Sequence, residues 1–336
     1  MDEVLDTPPR TVTRKPLAPP SGDKRDYMTV GTYWWPNPDT SDGLPWVRRD
    51  GQRNPSTCGD DCDEPKLEAL ARDVETLVAA WHVTGDERYA DHAARQLRVW
   101  FLDDETGMNP HMRYAQGVPG VSDGRKFGII ETHALLPMID AVVLLRGSCS
   151  STAGDDAALR AWFGQYVDWL VTSTFGRELA GAPNNMGTYL HAQRLWFGAY
   201  AEPRSVMADD VAAAFAQTMT QIEPDGRQPH ELARTNALSY SLMNLRGIAL
   251  LARLGEHVGL DLWHADPKLR AAFDYLLPTL LGETAWPHEQ LGPLDVDMLR
   301  TPLQLAGLAW ESPRLMRAAS QLREETSRVT LLDLTM

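Results

Sequence analysis

The chain has 336 residues, 43% hydrophobic and 23% charged, with 11 tryptophans and a formal net charge of −14 at pH 7. This is ample core material for a folded chain, and the acidic balance excludes a protein that grips nucleic acid through an extended basic footprint. An anionic polysaccharide stays open as a partner, because a cleft can be basic inside an acidic shell, and it would demand arginine concentrated where it binds.

The first sixty residues carry Pro8, Pro9, Pro16, Pro19, Pro20, Pro36, Pro38, Pro45 and Pro55, which rules out long helices and most central strands there. Residues 1–63 therefore read as an irregular segment, either wrapped around the outside or acting as a lid. In the second case Tyr33, Trp34, Trp35, Arg48 and Arg49 would reach a sugar site, since aromatic rings stack on the apolar faces of sugars. Cys58 and Cys62 in CGDDC fit a small loop disulfide. A metal half-site is the rival reading, but no second Cys/His pair matches it, so no metal is expected.

From residue 64 the period turns helical. Leu67, Leu70, Val74, Leu77 and Trp81 form one apolar face; Thr84-Gly85-Asp86 breaks the chain; Tyr89, Ala93, Leu97 and Trp100 restart the pattern. This is an αα-hairpin. Helical runs follow at 131–146, 156–175, 187–202, 207–221, 236–257, 266–281 and 298–324. Recurrent hairpins of this length predict an all-α chain, a single domain over 1–336, closed into an incomplete α/α barrel (a toroid) or stacked as a solenoid. No run of ~18 apolar residues is read as a membrane span, and no export signal is seen.

Three stretches are unusually polar for helix starts. In 108–133, Tyr114, Gln116, Arg125 and His133 are candidate sugar-binding residues. His111, His133 and His230 each also fit a structural, hydrogen-bonded histidine. In 182–193, Asn184 and Asn185 precede a helix that needs one N-cap, which leaves the second amide free to meet a carboxylate. In 225–245, a cap at Thr235 or Asn236 would leave Arg234 outside the helix and able to fold back over Tyr240, while Tyr240 and Asn244 share a face.

With these segments assembled, the chain resembles the alginate lyase superfamily, in particular polysaccharide lyase families 5 and 38. The resemblance runs from about Ser21 to Pro278 through SGDKRDY, YWWPNPDTSDGLPWVRRDG, TGDERYA, MNPHMRYAQGVPG, GRKFGIIETH, NNMGTYLHAQ, QIEPDGRQPHELARTNALSYS and GLDLW. It implies an α/α toroid, usually exported to the periplasm or outside the cell, that cleaves β-1,4-linked uronans such as alginate or glucuronan by β-elimination. Asn185, Arg234 and Tyr240 match the family's Asn, Arg and Tyr by motif. They imply neutralisation of the uronate carboxylate by Asn185 and Arg234, with Tyr240 at the proton transfer. No cofactor is implied.

The motif departs at Met186, where relatives commonly have His, and at Arg25, where they often have His. A thioether is neither base nor cation. His191, about 140° further round a continuous helix, is a poor stand-in. Tyr240 would then act as both base and acid in a syn elimination, with its pKa brought down by Arg234. The alternatives are a carbohydrate-binding protein that has lost turnover, and a hydrolase using two of Glu131, Glu231 and Asp225.

Overall fold

The computed structural model describes residues 2–57, 59, 62–204, 206–294 and 296–324. Cys58 lies outside the described residues, and with it the expected Cys58–Cys62 pairing. Thirteen α-helices are found among the described residues: α1 (Asp2–Leu5), α2 (Asp63–Thr84), α3 (Glu87–Leu97), α4 (Leu135–Leu145), α5 (Ala153–Thr172), α6 (Thr174–Leu179), α7 (Asn185–Ala201), α8 (Ala208–Met219), α9 (Pro229–Leu232), α10 (Ala237–His257), α11 (Pro267–Leu280), α12 (Val296–Ala309) and α13 (Pro313–Glu324).

The predicted first hairpin is α2 and α3. Leu67, Leu70, Val74 and Leu77 of α2 and Ala93, Leu97 and Trp100 on the other side are buried. Gly85, at φ 70°, ends α2 and returns its N–H to the Trp81 carbonyl, and Asp86 caps α3 through the Arg88 N–H. The other runs differ from expectation where caps and prolines intervene. The stretch Lys126–Ala134 is a 3₁₀ helix, and α4 begins only at Leu135, because Pro137 has no N–H to return to residue 133. A capping box of Thr152 and Asp155 starts α5 early, and Ser173 caps a separate α6. The run at 298–324 is two helices, broken at Glu311 (φ 47°) ahead of Pro313.

Helix α2 packs on α4, α4 on α7, α7 on α10 and α10 on α12, while α3, α5, α8 and α13 cover α2, α7, α10 and α12 from outside. All five inner helices put side chains into one cavity. The inner layer is thus curved around a lumen: the α/α toroid. Of two small sheets, one ties the N-terminal segment to the rest of the chain and the other is a hairpin within the segment. Strand β1 (Met28–Val30) pairs in parallel with β4 (Tyr114–Gly117), and β2 (Trp34–Trp35) pairs antiparallel with β3 (Val47–Arg48), Trp34 opposite Arg48. Lys15 forms a fully buried ion pair with Asp63 at the start of α2 and also donates to the Asp26 carbonyl at 2.6 Å. Contrary to the sequence reading, Lys126–Leu145 is long and apolar enough to span a membrane by composition alone. However, 61% of that window is buried inside the fold, as a core helix would be.

Candidate active site

The lumen holds a cavity of about 1310 Å³ whose wall includes eight arginines, no lysine and five carboxylic residues. Among the five, burial pushes Glu131 well above the carboxyl range and Glu64 to about 7, which thins the negative charge further. The wall is therefore cationic inside a molecule of charge −14, as a polyanion would require.

At the start of α7 the two asparagines divide their work. Asn184 is the N-cap, accepting from the Met186 N–H at 3.2 Å. Asn185 is 2% exposed, and its amide is held rather than free. Glu231 of α9 accepts from the Asn185 backbone N–H at 2.6 Å and from Nδ2 at 2.8 Å. One Nδ2 hydrogen is spent on Glu231, and the other is left for the cavity that Asn185 lines. Burial lifts the Glu231 carboxyl to about 7 against the pull of those two donors. Met186 also lines the cavity. His191 does not substitute for a base there: it is buried and bonded through Nε2 to the Ala180 carbonyl at 3.2 Å.

Arg234 lies in the turn between α9 and α10, where Asn236 is the N-cap position, and folds back as expected. Its guanidinium sits 4.0 Å from the centroid of the Tyr240 ring. The same fork is paired with Asp50 at 3.1 and 2.9 Å, and Asp50 also accepts from Arg48 at 2.6 Å. Asp50 is brought in by Gly51 (φ 71°), where a Cβ would lie 2.3 Å from Thr235 Oγ1; only glycine allows the approach. The Tyr240 hydroxyl is 2.7 Å from that of Tyr33. The expected lowering of the Tyr240 pKa does not hold. Burial raises it well above its ordinary 10, the Tyr33 hydroxyl adds to the rise, and Arg234 offsets only part. The resting side chain is a neutral phenol.

The facing wall is built on the β1–β4 junction. Gln116 has φ 50°, a rare conformation for a side chain of its size. Its carbonyl and Oε1 accept from Arg125 at 2.8 and 3.0 Å, while its N–H donates to Thr29 Oγ1 at 2.8 Å. Thr29 in turn donates to the buried Glu131. Arg125 stands 5.3 Å from the Trp34 ring centroid. Tyr33, Trp34, Arg48, Gln116, Arg125 and His133 all line the cavity, as expected from the sequence.

Three expected residues do not. Trp35 donates to the Gln52 carbonyl and is covered by Arg49 on the outer side of the hairpin. Tyr114, two residues before Gln116 on β4, packs edge-on against His111 instead. Asn244 is fully buried and donates to Gln221 and Gln228 at 3.0 and 2.8 Å, behind the lumen wall. Arg25 is likewise outside, bonded to the Gly107 carbonyl. Sequence reasoning missed Asp50 and the clamping role of Glu231; an acid next to Arg48-Arg49 was the only signal for the first. The three carboxylic residues weighed for a hydrolase are each engaged elsewhere. Glu131 is sealed against Thr29, Glu231 holds Asn185, and Asp225 is paired with Arg227 at the surface.

The alginate lyase family model matches residues 11–286. A search of curated proteins finds no match. Among solved structures, an alginate lyase from Bacteroides ovatus is 35% identical, with 96% of this chain and 87% of that chain covered and a TM-score of 0.88. Alginate lyase A1-III from Sphingomonas species A1 shares the fold at 14% identity, covering 94% and 84%, with a TM-score of 0.54. A variant of A1-III in complex with a tetrasaccharide is similar at the same identity and TM-score, covering 86% and 76%. With its toroid, its cationic lumen and a family match over most of its length, the chain belongs to the alginate lyase family and is a polysaccharide lyase.

Proposed function

We propose that the chain cleaves a β-1,4-linked uronan of the polymannuronate or glucuronan type by syn β-elimination, with Tyr240 as both base and acid. The observation that carries this reading is the Tyr240 hydroxyl, set against Arg234 and Tyr33 on a cationic wall shared with Asn185 and Met186. The Asn185 amide and the arginine-rich wall meet the uronate carboxylate and stabilise the dianion that develops as C5 loses its proton. The phenolate of Tyr240 takes the C5 proton, the C–H electron pair becomes the C4=C5 double bond, and the C4–O4 bond breaks. O4 departs with that same proton, which restores the phenolate. One group suffices because, in β-mannuronate and β-glucuronate, the C5 hydrogen and O4 leave from the same side of the ring. Methionine at 186 cannot act as the base expected on the opposite side, so guluronate should be a poor substrate. The alginate lyase from Bacteroides ovatus supports alginate as the first polymer to try.

The test is absorbance of the unsaturated product with polymannuronate, glucuronan and polyguluronate. Product from the first or second that disappears in Tyr240→Phe is the expected result; turnover surviving that substitution overturns the scheme. Binding without product, with cleavage appearing in Met186→His, would mean that the site binds uronan but lacks its base.

A further inference from the structure

Arg246 of α10 also lines the cavity, its backbone about 9 Å along the helix axis from that of Tyr240, six residues on. Its Nε is buried without a hydrogen-bond partner, no carboxylate is paired with it among the described residues, and the Tyr189 hydroxyl lies beside it. Around it are His133, whose Nδ1 is also buried and unpartnered, and the fully buried Tyr189, whose ring lies 5.3 Å from that of His133. The other arginines near the Tyr240 end are matched: Arg234 and Arg48 to Asp50, Arg125 to Gln116. A half-buried guanidinium without a counter-ion has lost hydration, and the Tyr189 hydroxyl beside it offsets only part of that loss. Burial first, and then the Arg246 charge, hold the His133 pKa at about 3. At neutral pH that ring is an uncharged hydrogen-bonding group beside a single cation.

We infer that Arg246 and His133 form a second carboxylate-binding subsite, which holds a uronate further along the chain from the sugar that reacts. The spacing is the reason. A carboxylate at Asn185 belongs to the reacting ring, and Arg246 leaves α10 more than a turn and a half beyond Tyr240, which places it toward a neighbouring sugar. A polymer with a carboxylate on every sugar brings a second anion to the guanidinium fork, which suits a carboxylate better than a hydroxyl. The subsite deepens the elimination reading and rests on it only for the direction in which the chain lies.

The experiment uses oligomannuronates from disaccharide to hexasaccharide, with Arg246→Gln and Arg246→Lys, and thermal midpoints to confirm that each variant is folded. KM should fall with length in the wild type. In Arg246→Gln that fall should be lost, with KM for the hexasaccharide at least tenfold higher and kcat changed much less. Arg246→Lys should recover part of the loss. Calorimetric binding of the same oligomers to wild type and Arg246→Gln gives a second reading that needs no turnover, so failure of the elimination scheme leaves the subsite testable. Equal affinity of the two proteins for every length overturns the subsite, as does an equal loss for carboxyl-reduced oligomers.

Discussion

Burial and the Arg234 charge pull Tyr240 in opposite directions, and burial wins. A base with its pKa above 10 is scarce as phenolate at neutral pH, so log kcat/KM should climb with pH into the alkaline range. Removing the cation that sits 4.0 Å from the ring centroid deprives the phenolate of an attraction that, at an effective dielectric of 20 and with Asp50 offsetting part of it, is on the order of 1–2 kcal/mol. Arg234→Gln should therefore lower the rate at pH 8 by about tenfold and move the alkaline limb to higher pH. A limb that stays put would mean that Arg234 does not act through Tyr240. Glu231 makes a separate prediction, on stability. Its carboxyl rises from 4.5 to about 7 on folding, so the folded state favours the protonated form. That advantage is full below pH 4.5 and is lost as pH rises toward 7, a decline on the order of 3 kcal/mol. Urea midpoints across this window should fall less steeply in Glu231→Gln, with Glu64, also raised to about 7, keeping a residual slope. Asn185, Arg234 and Tyr240 were legible in the sequence because their motifs are local. Asp50 and Glu231 were not, because each acts on a partner 184 or 46 residues away, and nothing local marks such pairs.

On α10 the apolar and polar periods mix. The helix was legible from its pattern, and so was the placement of Arg234 just before it, but the division of its faces was not. Tyr240 and Asn244 are one turn apart, yet the lumen takes Tyr240 and Met243 while Asn244 turns toward Gln221 and Gln228. Spacing alone cannot say which side of a helix with neighbours on both sides faces the cleft. Asn244→Ala would leave the buried Gln228 oxygen without its donor and the Gln221 oxygen with Thr188 alone, so it should cost about 2 kcal/mol in denaturant unfolding. Its kcat should stay within a few-fold of wild type; a selective loss of kcat in a stable variant would return Asn244 to the site. The β2–β3 hairpin offers the complementary case. Gly51→Ala forces a Cβ into Thr235 at a positive φ, costing about 1 kcal/mol or more. The strain falls where Asp50 grips Arg234, so it should raise KM as well as lower the melting midpoint, and a change in stability alone would detach the hairpin from the site.

The whole molecule sets a long-range field against a local one. A net charge of −14 repels a polyuronate at a distance, while the arginine-rich wall attracts it inside the lumen. Which dominates depends on how far charges are felt: about 30 Å at 0.01 M salt, about 8 Å at 0.15 M and about 3 Å at 1 M. At the lowest salt the approaching polymer feels the acidic shell. Near 0.15 M that shell is screened, while the partly desolvated guanidiniums facing the substrate are screened far less. At 1 M even the short contacts weaken. KM for the polymer should therefore pass through a minimum near physiological ionic strength rather than rise steadily with salt, with kcat nearly flat. Arg246→Gln should shrink the high-salt rise, because one of the short-range cations responsible for it is gone. A KM that climbs monotonically from 0.01 M would mean that the field at the mouth of the cleft is already positive and that the acidic residues lie too far from the entry path to matter.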